Sequence, residues 1–117
     1  MDERVAAPRT AHIAIDRAIE RLRATAGTRA VPLFEHASLL IEYYAPRGVD
    51  TQQPHTRDEV YVIARGRGTF YDGTTRRRFE AGDLLFVAAG IEHRFEAFSE
   101  DFGAWVMFYG PQGGERP

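Results

Sequence analysis

The chain contains no cysteine. Disulfides, thiolate metal ligands and a cysteine nucleophile are therefore excluded. It also contains no lysine, so all fifteen basic residues are arginine. Schiff-base chemistry and a catalytic lysine are excluded with it. Only two serines are present, Ser38 and Ser99, and neither sits in a G-x-S-x-G nucleophile elbow. No apolar stretch approaches the ~20 residues of a membrane-spanning helix. The first residues, Met-Asp-Glu-Arg, are acidic and no apolar h-region follows them, so no secretory signal is read and a cytoplasmic location is expected. A basic excess is lacking as well: net charge is −2 with histidine neutral. Nucleic acid and anionic membrane are thus not expected partners. The one basic run, Arg76-Arg77-Arg78, reads as a solvated strand, with phosphate contact as the lesser alternative. What remains for chemistry is His, Asp, Glu, Tyr, Arg and bound ions.

A chain of 117 residues suits one domain around one core. Its 44% hydrophobic and 27% charged residues are the balance of a globular protein. Ile15, Ala18, Ile19, Leu22 and Ala26 recur at three- and four-residue steps, which predicts a helix over 16–26. Asp16 is expected to cap its start and Gly27 to end it. After Gly27 the period falls to two. Strands are expected over 31–34, 39–45, 59–65, 69–72, 75–80, 84–87, 93–98 and 104–109. Asp72-Gly73 between two such runs predicts a type I′ hairpin. Short strands at this spacing predict an all-β sandwich or barrel. Residues 1–30 are read as an N-terminal arm and helix, 31–110 as the barrel and 111–117 as a disordered tail.

Two polar clusters interrupt this pattern. Glu59 opens a strand, and alternation puts it on one face with Tyr61 and Ile63, which are core residues by type. Glu59 therefore points inward. A buried carboxylate must pair with Arg, take a proton or bind a metal. His93 likewise opens a strand whose same-face neighbours are Phe95 and Ala97. His55 lies four residues before Glu59 on the same parity, and Gln53 two before that. Two imidazoles and a carboxylate form the ligand set of non-haem Fe(II) and related sites. His12 and His36 lack any metal-type spacing and are read as structural.

These residues resemble the two motifs of the cupin superfamily, in particular its small single-domain members. The first, G-x5-H-x-H-x3,4-E-x6-G, is met by Gln53-x-His55-x3-Glu59-x6-Gly66. The second, G-x5-P-x-G-x2-H-x3-N, is met by Gly82-x5-Ala88-x-Gly90-x2-His93-x3-Ala97. Fifteen residues, Arg67 to Ala81, separate them. The resemblance implies a double-stranded β-helix, or jelly-roll barrel, with a divalent metal near one mouth. It implies Gln53, His55, Glu59 and His93 as the ligands. Three positions depart from the pattern: Gln53 stands for a histidine, Ala88 for a proline and Ala97 for an asparagine. Gly48 also lies one residue closer to the ligands than the pattern asks. An amide oxygen is a harder, weaker donor than imidazole, so Fe²⁺, Mn²⁺ or Ni²⁺ is expected over Zn²⁺ or Cu²⁺. Alternatively Gln53 swings away and leaves a three-ligand face.

The expected function is a metal-dependent, dioxygenase-like enzyme on a small organic substrate, an isomerase being less favoured. Glu59 would then be both ligand and proton acceptor. A non-catalytic small-molecule binder or sensor with a partial metal site is the alternative, and a structural dimer with a vestigial pocket the blandest. Arg57 is placed at the mouth, meeting an anionic substrate or pairing with Asp58 or Glu80. Tyr61 and Phe95 are expected to line the barrel, as core first and pocket wall second. Val60, Val62 and Phe98 are read as outward apolar residues. With free strand edges they predict a homodimer, the N-terminal arm crossing between subunits.

Overall fold

The structure is a computed structural model, and it describes residues 9–117. The suggested crossing of the N-terminal arm lies largely outside the described residues. One helix, α1 (Ile15–Ala24), precedes eight strands. These are β1 (Ala30–His36), β2 (Leu39–Tyr44), β3 (Asp58–Arg65), β4 (Arg67–Tyr71), β5 (Arg76–Glu80), β6 (Leu84–Val87), β7 (Arg94–Glu96) and β8 (Gly103–Tyr109). They form a five-stranded antiparallel sheet, β1-β2-β8-β3-β6, and a three-stranded antiparallel sheet, β5-β4-β7. The all-β fold expected from the two-residue period, and the jelly roll that the motif resemblance implies, are observed. No helix among the described residues is long and apolar enough to cross a membrane.

Alternation divides the side chains of the larger sheet between two cores. On the inner face, Tyr61, Ile63, Val87, Ala104 and Val106 meet Phe70, Phe79, Phe95 and Phe102 in one buried cluster. Phe95 contacts Phe70, Phe79, Phe102 and Tyr61 at ring-centroid distances of 5.2, 5.3, 4.7 and 5.0 Å. Phe98, expected to face outward, instead packs on Phe102 at 5.3 Å. The chain bends there, because Ala97 takes a positive φ of 48° just past β7 and breaks the alternation. On the outer face, Tyr43 and Trp105 form a cross-strand pair with rings 5.5 Å apart. Helix α1 covers them with Ala18, Ile15, Ile19 and Leu22. Ile15, Ile19 and Leu22 are partly buried there, so each contributes less than the ~1.5–3 kcal/mol of a fully buried Ile or Leu.

The local ends differ from expectation in instructive ways. The N-cap of α1 is Ala14, without a side-chain cap. Asp16 falls inside the first turn, where its charge favours the positive end of the helix dipole. In the β4–β5 hairpin only Gly73, at φ 97°, is left-handed. Asp72 N donates to Thr75 O, and the Asp72 carboxylate accepts from Thr74 N and Thr75 N. The loop is thus Gly73-Thr74, of type II′ character rather than I′, with Asp72 as its anchor. Arg76 donates to Glu96 at 2.8 Å, and its guanidinium lies 4.4 Å above the Tyr71 ring, so this member of the arginine run braces the small sheet. Within residues 111–117, expected as a disordered tail, two positions are hydrogen-bonded to the barrel side. Gly113 N donates to Thr56 O and Glu115 N to Asp58 Oδ2.

Candidate metal centre

Strand β3 delivers Glu59 to the barrel interior, where it is 0% exposed. His93 arrives from the loop before β7 and is 2% exposed. His55 comes from the loop that leads into β3 and remains half-buried, its ring 4.9 Å from Phe108. One ligand atom from each of the three can be chosen so that all lie within 4.8 Å of one another. His93 Nε2 is 2.8 Å from Glu59 Oε1, and His55 Nε2 is 3.8 Å from Glu59 Oε2.

The hydrogens around Glu59 do not satisfy it. His93 Nδ1 is hydrogen-bonded to the Ile91 carbonyl at 2.8 Å, so a neutral ring turns the bare Nε2 toward Glu59. With His93 neutral, neither Glu59 oxygen receives a hydrogen bond among the described residues. Leaving a buried carboxylate in that state is costly unless a proton or a metal ion stands between it and its neighbours. The histidines respond in opposite directions. Burial pulls His93 down, but the contacts to Glu59 and Ile91 and the charges of Glu59 and Asp50 outweigh it and leave it raised. His55 is lowered, chiefly by burial and also by His93, against the raising charges of Glu59 and Asp50.

Tyr61 closes the group from β3. Its hydroxyl is 3.0 Å from His93 Nε2 and 3.0 Å from Gln52 Oε1. Burial, then the nearby Glu59 charge, holds that hydroxyl well above its ordinary value, so it keeps its proton at neutral pH. Glu42, on the inner face of β2, is also raised, by burial and then by Glu59.

Other expected site residues are placed differently. Gln53 is exposed, and the amide at the cluster is that of Gln52, with Oε1 3.1 Å from His55 Nε2. The parity argument fails there because residues 51–57 are not a strand. Arg57 donates Nε to the Gly110 carbonyl at 3.0 Å and pairs with neither Asp58 nor Glu80. Asp58 instead accepts from Ala89 N and Glu115 N, at 2.9 and 2.8 Å. Phe95, by contrast, is 1% exposed and belongs to the core, the first of the two places expected for it. Sequence reading missed Asp50, Gln52 and Glu42. Glu42 was open to it through the alternation Leu40, Glu42, Tyr44; nothing in the sequence marked the other two. A surface depression lined by Pro54, His55, Ala89, Gly90 and Gln112 opens beside His55.

Comparison with known proteins agrees with this fold. The family described as the cupin domain matches residues 40–109. An uncharacterised protein of Streptomyces coelicolor is 36% identical over 63 residues, which are 54% of this chain and 60% of that protein. The chain thus spans 60% of the length of that curated relative. A cupin 2 conserved barrel protein of Salinispora arenicola superposes with a TM-score of 0.66 at 21% identity, covering 88% of this chain and 91% of that one. A cupin-2 domain protein of Shewanella frigidimarina gives 0.64 at 16% identity, covering 84% and 94%. Both solved structures share the fold at identities that speak for the fold alone. With its two-sheet barrel and the match over residues 40–109, the chain belongs to the cupin family.

Proposed function

We propose that this cupin holds a divalent transition metal between His55, Glu59 and His93 and acts as a dioxygenase-like enzyme on a small organic substrate. The observation that supports the reading best is Glu59, a fully buried carboxylate whose two oxygens lack a hydrogen-bond donor among the described residues while His93 is neutral. Two imidazoles and a carboxylate fit a divalent transition metal such as Fe²⁺, Mn²⁺ or Ni²⁺. When bound, the ion would supply Lewis-acid and redox chemistry.

The chain's own residues have separate tasks in this reading. The Tyr61 hydroxyl, 3.0 Å from His93 Nε2, keeps its proton and donates it to Gln52 Oε1, which holds that amide at the cluster. Glu59 serves as ligand and as acceptor for a substrate proton. His55, half-buried beside the depression, marks the side from which a substrate enters. The phenylalanines below, Phe70, Phe79, Phe95 and Phe102, fill the deeper lumen and keep substrate near the mouth. The protein is read as a homodimer joined through the outer sheet face, where Leu84 and Phe86 are 64% and 55% exposed beside Val62 and Val60.

The test is to load apo-protein with Fe²⁺, Mn²⁺ or Ni²⁺, offer diketones, catechols and flavonol-type compounds, and follow O₂ uptake. The reading expects metal-dependent uptake that His55→Ala abolishes. The competing reading is a non-catalytic small-molecule binder with a partial metal site. A compound that raises the melting temperature without being consumed, and no turnover with any metal, would select that competitor.

A further inference from the structure

Asp50 decides which atom of Gln52 faces the cluster. This carboxylate is 4% exposed, in the loop between β2 and β3. It accepts from Phe95 N at 2.8 Å, from Gln52 N at 3.2 Å, from the Tyr44 hydroxyl and from Gln52 Nε2 at 2.6 Å. A carboxylate has no hydrogen to give, so only the NH₂ end of the Gln52 amide can face it. The amide oxygen is thereby turned the other way, to 3.1 Å from His55 Nε2 and 3.0 Å from the Tyr61 hydroxyl. Phe95 lies two residues after His93, so Asp50 ties the Gln52 amide and the His93 imidazole into one frame.

The donor count around that oxygen is short. With the His93 ring neutral, Gln52 Oε1, both Glu59 oxygens and His93 Nε2 are all acceptors. Opposite them stand one Tyr61 hydrogen and at most one on His55 Nε2. Each buried acceptor left without a donor is destabilising. One multivalent cation satisfies several acceptors at once. Atoms that share an ion at ~2.0–2.2 Å lie roughly 3–3.5 Å apart. The separations here are 3.1 Å for Gln52–His55, 3.8 Å for His55–Glu59 and 2.8 Å for Glu59–His93.

We infer that Gln52 Oε1 is a fourth donor to the metal, and that Asp50 is the positioning residue that fixes it. The inference rests on the reading of His55, Glu59 and His93 as a metal centre. It gives a site of two nitrogens and two oxygens, the fourth supplied by a loop residue one position earlier than Gln53. A neutral amide in place of an imidazole also leaves the site with one protonatable ligand fewer.

The test uses Co²⁺ and Mn²⁺ alone, titrated into apo-protein against a competing chelator, with the Co²⁺ ligand-field absorption recorded. Wild type is compared with His55→Ala, Gln52→Leu, Asp50→Asn and the double variant Gln52→Leu/Asp50→Asn. His55→Ala should lose the ion. Gln52→Leu should weaken binding about 10–100-fold, the range for removing a group that supports a metal site, and shift the Co²⁺ spectrum. Asp50→Asn lets the amide present either end and should weaken binding less. The double variant should bind no worse than Gln52→Leu, because Asp50 acts through Gln52. If Asp50→Asn does not fold, Gln52→Asn, which shortens the reach of the same amide, takes its place and should weaken binding. Wild-type affinity and an unchanged spectrum in Gln52→Leu, with the ion lost in His55→Ala, would overturn the fourth donor alone. Additive loss in the double variant would overturn the positioning role of Asp50. Wild-type affinity in His55→Ala would overturn the metal reading beneath both.

Discussion

His93 Nε2 stands 2.8 Å from Glu59 Oε1, while Nδ1 of the same ring stands 2.8 Å from the Ile91 carbonyl. The carbonyl accepts from Nδ1, so a neutral ring turns a lone pair toward a carboxylate. Such a contact is repulsive unless a cation lies in it. A proton serves that purpose in the metal-free protein, and this is why His93 is raised despite its burial. A metal ion serves the same purpose without needing acid.

Metal-free stability should therefore peak near the ordinary histidine value, about pH 6.5. His93 is raised, so its contribution is complete below ~6.5 and is lost as pH rises through its folded value. His55 is lowered, so its contribution is complete above ~6.5 and is lost as pH falls through its folded value. Melting curves with chelator over about pH 5 to 8.5 should show that maximum. With Mn²⁺ the decline above the maximum should disappear, since the ion replaces the proton. A chelated profile that rises steadily to the alkaline limit contradicts this account.

Glu59→Gln should remove the stabilisation by metal while leaving the fold. An ion at a hundred times its dissociation constant stabilises the native state by about 2.7 kcal/mol. For a domain of this size that is a rise of roughly 10–20 °C in Tm. Wild type should show the rise on adding Mn²⁺ or Fe²⁺, and Glu59→Gln should show almost none. Equal shifts in the two proteins would remove Glu59 from the site.

The outer sheet face makes a separate prediction. Val60 pairs with Phe86, and Val62 with Leu84, in an apolar strip that α1 leaves uncovered. Leu84→Glu with Phe86→Glu should convert a dimer to a single chain of 13.2 kDa by light scattering. Wild type already at the single-chain mass at micromolar concentration would contradict the dimer.

Asp58 joins the C-terminal residues to the mouth. Hydrogen bonds from Glu115 N and Ala89 N hold its carboxyl below the usual range. Its contribution is present above about pH 4 and is lost as pH falls through the folded value. Asp58→Ala should speed amide exchange at Ala89 and Glu115 and leave the amides of β8 protected. Unchanged exchange at both positions would show that the anchor lies elsewhere.

Much of this was legible in the residues. Eight strands follow from period-two runs and their Gly punctuation, and α1 from Ile15, Ala18, Ile19 and Leu22. Glu59 was readable as inward because it shares a strand face with Tyr61 and Ile63. His55, Glu59 and His93 do converge in space. Alternation gives directions only inside a strand, so it misassigned Gln53 in the loop over 51–57, where Gln52 turns inward. Asp50 was hidden for the same reason: its burial comes from Phe95 N and Tyr44, distant or looped contacts that no spacing encodes. Phe98 reads as an outward strand residue until the positive φ of Ala97 turns the chain. The C-terminal residues lack a strand or helix pattern, yet two backbone hydrogen bonds dock them.

Elemental analysis of protein purified without a metal-affinity tag, beside His55→Ala purified in the same way, tests the central claim most directly. The account predicts a stoichiometric divalent transition metal in wild type, iron, manganese or nickel before zinc or copper, and its loss in His55→Ala. Wild-type protein that carries no metal and takes up none from Fe²⁺, Mn²⁺ or Ni²⁺ would contradict it.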